Sequence, residues 1–153
     1  MDLKTKKKLF ISIGIALVLI IAAKLLNQAG EYGGVLKRNW GIKLPVGYAE
    51  TYKATSGSSP HGDGTRYHVF SAGDPRDLEN LVDWISINEI GAEEAEAFVA
   101  EVDGWLEGIA VPAAERPDYA QCGFWQTEKE DHSQLVLFFS EETGLLYVVE
   151  FFI

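Results

Sequence analysis

The chain has 153 residues, 47% of them hydrophobic and 24% charged, enough for one ordinary domain with an appendage. It carries 13 Lys and Arg against 23 Asp and Glu, a net charge of −10, with one cysteine. An acid excess of this kind argues against nucleic acid and anionic headgroups as partners, and the lone Cys122 rules out an intramolecular disulfide.

Residues 1–8 are basic, with Lys4, Lys6, Lys7 and Lys8, and the stretch from Leu9 to Ala23 that follows is uncharged. A basic flank ahead of an apolar run is either a signal peptide or a membrane anchor. Taken as a helix, residues 9–26 span about 27 Å at about 1.5 Å per residue, close to a bilayer core of about 30 Å, with Lys24 free to snorkel. Lys24 and Asn27 stand where a signal-peptide cleavage site wants small residues, and there is no cysteine for a lipobox, so the reading is an uncleaved anchor over 9–26. Lysines ahead of the span keep the N-terminus in the cytoplasm and put the rest outside, in the cell membrane but extracytoplasmic. Beyond Leu26 there are eight cations against 22 acids, a net −14.

Residues 27–35, with "NQAGEYGG", read as a tether, and 36–153 as the folded domain. "VGYAETYKAT" and "TRYHVFS" alternate as two antiparallel strands, joined by the Ser- and Gly-rich stretch Ser56 to Gly64. Within it "HGDG" offers His61, Asp63 and Gly64 as a binding loop, although Asp-Gly ahead of a strand is also a strong turn signal. His61, Asp63 and His68 lack a recognised ligand spacing, so no metal site and no cofactor is expected. Ser58 and Ser59 beside His61 and Asp63 sit in one loop, whereas triad members come from separate rigid elements, so the chain leans away from being an enzyme.

"GDPRDLENLVDWIS" carries Asp74 as an N-cap and Pro75 at the first helical position, and Leu78, Leu81, Val82 and Ile85 fall at helical spacing. A second helix over Ala92 to Gly108 aligns Ala95, Phe98, Val99, Val102, Leu106 and Ile109. Its other face bears Glu93, Glu96, Glu101, Asp103 and Glu107 with almost no cation four residues away, either a solvated surface or a docking face for a basic protein. Trp84 and Trp105 lie beside these stripes, at the core edge or half exposed. Cys122 reads as a small buried residue.

"CGFWQTE", "SQLVLFFS" and "GLLYVVEFFI" read as three strands, and the near-continuous apolar character of the last two suits central strands or a face offered to a partner. The fold class is therefore α+β: an antiparallel sheet of about five strands in the order β-β-α-α-β-β-β, packed by two helices, behind a single transmembrane helix.

A basic and apolar N-terminus, then "HGDGTRYHVF", then the closing "LVLFFSEETGLLYVVEFFI" resemble small membrane-anchored proteins of unknown function in Gram-positive bacteria. The resemblance implies a loop of the HGDG type before a strand and a terminal hairpin turning on an acidic-Thr-Gly or Thr-Asn step. It brings no activity or catalytic residue. Function is expected to be that of a membrane-anchored binding or sensing module with an acidic surface. The alternatives are a cell-envelope enzyme using the His61 and Asp63 loop, or an immunity-like inhibitor of a basic protein.

Overall fold

The computed structural model describes residues 13–20, 32–57, 63–71 and 73–153. Residues 13–20 are helical, and Ile13, Ile15, Leu17, Val18, Leu19 and Ile20 all stand more than half exposed, at 53 to 65%. No helix among the described residues is long and apolar enough to cross a membrane, and the rest of the expected span lies outside them.

Residues 32–40 form a helix, α1, and six strands follow: β1 (Ala49–Thr55), β2 (Gly64–Ser71), β3 (Ile85–Ser86), β4 (Gly123–Glu128), β5 (Gln134–Ser140) and β6 (Leu145–Phe152). Between them stand the single turn α2 (Arg76–Glu79) and the long helix α3 (Ala92–Gly108). The strands make one sheet in the order β1-β2-β6-β5-β4-β3, every neighbour antiparallel. The fold is α+β.

The apolar terminal strands sit at the centre of the sheet because both their faces are covered. On one face Val136, Phe138, Tyr147 and Val149 meet Val102 and Leu106 of α3. On the other, Leu135, Leu137, Phe139, Leu146 and Val148 meet Tyr32 and Leu36 of α1 and Leu78 of α2. Period-two alternation sends successive residues to opposite faces, so a strand between two layers is apolar on both, with Glu150 of β6 the charged exception. At the hairpin between β5 and β6, Gly144 takes φ +67 and its N–H donates to the Ser140 carbonyl at 2.9 Å, a left-handed position that suits glycine.

Helix α3 lies where its apolar stripe places it, with Val102 and Leu106 fully buried and Ala95, Phe98, Val99 and Ile109 packed around them. Three expectations need correction. The sheet has six strands, because Ile85–Ser86 pairs with β4 instead of ending a helix. The helix expected from Asp74 through Ile85 is a single turn, Arg76–Glu79, with Pro75 at its N-cap. Asn80, Val82 and Asp83 are weak helix formers, and the Trp84 indole N–H donates back to the Leu78 carbonyl at 2.8 Å, which turns the chain toward β4. Finally, residues 32–35 of the expected tether are helical, and Tyr32 is only 8% exposed.

The loop between β1 and β2 is tied at its base. Ser56 N–H donates to the Thr65 carbonyl at 3.0 Å, and Thr65 N–H donates to Ser56 Oγ at 3.1 Å. Gly64 holds φ +132, where a Cβ would overlap Ser56 Oγ. Gly64→Val is therefore expected to destabilise by about 1 to 3 kcal/mol, read as a lower urea midpoint. An unchanged midpoint would show that the strand start tolerates ordinary backbone angles.

Candidate functional site

Among the described residues a groove of about 850 Å³ lies between α3 and the outer edge of β4. Sequence and topology together create it. Strand β3 is two residues long and pairs only with Gly123 and Phe124, while β4 runs on to Glu128. Helix α3 crosses the same face and lays Phe98 against Phe124, ring centroids 4.9 Å apart. The floor is therefore apolar, from Phe98, Phe124 and Ala97, and Ile85 at its end is 40% exposed.

The walls are acidic. Glu94 and Glu101, seven residues apart on α3, face Gln126 and Glu128 on β4, and Asp83 closes one end. Among the described residues four carboxyl groups and no Lys or Arg line the groove. Of the four, only Glu128 has a close basic neighbour among the described residues, His132 Nδ1 at 2.6 Å, and that pair is exposed. Facing like charges around an apolar floor repel one another and attract a cation that could bridge them.

The acidic face read from the sequence divides in two. Glu101 lines the groove, and Glu93 and Glu96 stand exposed outside it. Asp103 instead takes hydrogen bonds from the Tyr119 hydroxyl at 2.6 Å and the Arg116 guanidinium at 3.3 Å, and Glu107 lies 3.6 Å from the same Arg116. The neutralising cation comes from the loop after the helix, out of reach of an i,i+4 search. Burial and the Asp103 neighbour push the Tyr119 hydroxyl well above its ordinary range, so it stays a donor. Sequence reasoning missed Glu94, Asp83 and Glu128, since only the fold brings residues from a loop, a helix and a strand to one rim.

Of the proposed loop site, His61 lies outside the described residues. Asp63 is exposed and Gly64 forms the strand start described above. Among the described residues no three His, Cys, Asp or Glu side chains are arranged to hold a metal ion. Cys122 is 5% exposed, and burial first, then the nearby Asp118, pushes its thiol up to about 12, so it is an unreactive packed residue.

A second polar cluster lies under α1. Glu150 on β6 is fully buried, and it accepts hydrogen bonds from the Tyr32 hydroxyl and, at 2.6 Å, from the Trp40 indole N–H. Beside it His68 on β2 pairs through Nδ1 with Glu50 on β1 at 2.5 Å, and the Tyr32 ring stacks on the imidazole at 3.5 Å. Burial lowers the His68 pKa, against the opposing pull of Glu50. These groups satisfy one another under a covering ring, and no lining residue of the groove belongs to them. They fasten α1 to the sheet. Trp105 and Trp84 are likewise anchored, Trp105 stacked on Phe151 at 5.0 Å and Trp84 packed at 5.6 Å from Phe139.

No family model, curated protein or solved structure matches the chain.

Proposed function

We propose that the chain is a membrane-anchored binding module of the cell envelope, belonging with the small anchored Gram-positive proteins it resembles. Its acidic groove receives a basic protein partner. The single observation that supports this reading is the groove itself: an apolar floor between α3 and β4, ringed by Asp83, Glu94, Glu101 and Glu128 with no Lys or Arg among the described residues that line it. Apolar area supplies affinity and the field of the acids selects the sign of the partner and speeds its approach. The exposed apolar helix at 13–20 fits a lipid environment better than water and supports the anchor, and the lysines before it favour an outside location for the domain.

The enzyme reading draws less support, because the described histidines, His68 stacked under Tyr32 and His132 at the surface, pair through Nδ1 with Glu50 and Glu128, and among the described residues neither is hydrogen-bonded to a Ser, Thr or Cys side chain. An immunity-like inhibitor is one form that a binder of a basic protein could take.

Binding is tested on the full chain in nanodiscs by titrating a fluorescent lysine-rich peptide against wild type and the triple variant Asp83→Asn, Glu94→Gln, Glu101→Gln. At low salt the wild type should bind, and the variant should bind at least about tenfold more weakly, as expected for the loss of about 0.5 to 1 kcal/mol per exposed ion pair. Raising ionic strength should weaken the wild type toward the variant. Equal affinity of the two would remove the groove from the account. A reporter fused after Ile153 should read as extracytoplasmic, and cytoplasmic activity would overturn the location.

A further inference from the structure

The acids say which charge the partner carries, and the backbone beside them says what shape it takes. In β4 the register pairs Gly123 with Phe139 through to Glu128 with Gln134, and one step further the Lys129 N–H donates to the Ser133 carbonyl at 2.9 Å. Hydrogen bonds in an antiparallel pair alternate along the strand. The residues in step with Lys129, namely Trp125 and Thr127, therefore spend their N–H and C=O groups on β5. Gln126 and Glu128 point theirs outward, and β3 ends before reaching them, so among the described residues this stretch of edge has no partner.

The two edges of the sheet are not built alike. Strand β1, at the other edge, carries a register shift between Glu50 and Tyr52 and an exposed Lys53, both of which discourage a further strand. Strand β4 has an unbroken register and no lysine or proline between Gly123 and Glu128. Its open length borders the groove, whose far wall is α3. A free edge facing a helix across an apolar floor is the arrangement by which extended peptides are added to a sheet.

We infer that the groove binds an extended, lysine- or arginine-bearing segment of another protein, which adds a strand to the sheet along Gln126 to Glu128. The inference rests on the proposed basic partner and gives it a conformation. In the added strand, backbone groups meet those of Gln126 and Glu128. Every second side chain points toward α3, where Glu94 and Glu101 wait, so the segment carries its cations at alternate positions. A second copy of this chain is the wrong occupant, because pairing β4 with β4 brings together two groove walls that each carry Glu94, Glu101 and Glu128, and like charges brought together cost affinity.

The test uses the full chain in nanodiscs and four labelled peptides: one alternating lysine with threonine or valine, the same sequence N-methylated on every second amide in each of the two phases, and one with glutamate in place of lysine. The parent should bind. N-methylation in one phase should weaken binding by about tenfold or more, since two backbone hydrogen bonds are lost, while the other phase should bind like the parent. The glutamate peptide should not bind. On the protein side Gln126→Pro removes an outward N–H that the fold does not use, so it should keep the melting temperature and lose binding to a similar extent. If the variant melts early, the peptide arm decides alone. Equal binding of all the lysine peptides overturns strand addition and leaves the basic-partner reading standing. Failure of every lysine peptide overturns both. Self-association that Gln126→Pro abolishes and the parent peptide cannot displace would assign the edge to a second copy and overturn the inference.

Discussion

Phe138→Ala is expected to cost about 3 to 5 kcal/mol, read from urea denaturation followed by circular dichroism. The ring is 1% exposed in a central strand, with Tyr119 edge-on at 5.2 Å and Phe98 at 6.0 Å, so truncation leaves a hole lined by side chains from β5, α3 and the loop after it. Domains of this size are stable by only about 5 to 15 kcal/mol, so such a loss is a large share of the total. Phe98→Ala should cost less, because that ring borders the open groove. A Phe138→Ala protein within about 1 kcal/mol of wild type would mean that the sheet and α3 do not share a core.

Glu150→Ala should be the second costly change, at about 2 to 4 kcal/mol, and the reason is polar. Removing the carboxyl strands the Tyr32 hydroxyl and the Trp40 indole N–H, and a buried unsatisfied group costs about 1 to 3 kcal/mol. Glu150→Gln keeps an acceptor oxygen and should cost less. The neighbouring His68 adds a dependence on pH. Its folded pKa lies below the unfolded value of about 6.5, so the unfolded chain binds the proton first. Its contribution is thus fully present above about pH 6.5 and is lost as pH falls from there through the folded pKa. His68→Phe should flatten that part of the stability profile. Wild-type stability for Glu150→Ala would show that α1 is not fastened to the sheet by this carboxyl.

How far the sequence could be read follows from which forces act locally. Alternation over "TRYHVFS" and the stripe of α3 were legible because each element buries one face and repeats its own period. Helix α1 was not, since Gly33 and Gly34 argue against a helix, although Tyr32, Leu36 and Trp40 recur every four residues and were the available signal. The turn after β3 was written as well: Ser86 and Glu89 form a capping box, a pattern of Ser and Glu three residues apart. Glu150 could have been noticed as a lone acid in an apolar central strand, which requires buried donors, but the chain does not say that they come from residues 32 and 40. The groove was least legible, because an unpaired edge is a property of the sheet order and of a strand, β3, too short to cover its neighbour.

The central claim is that ligand binds between α3 and the edge of β4. It is tested most directly by amide NMR of the full chain in nanodiscs, titrated with the alternating lysine peptide. Shifts should gather at Asp83, Ile85, Glu94 to Glu101 and Phe124 to Glu128, with new protection from exchange at the amides of Gln126 and Glu128. Shifts centred instead on His61 to Gly64, with the β4 edge silent, would contradict the account and return the function to that loop.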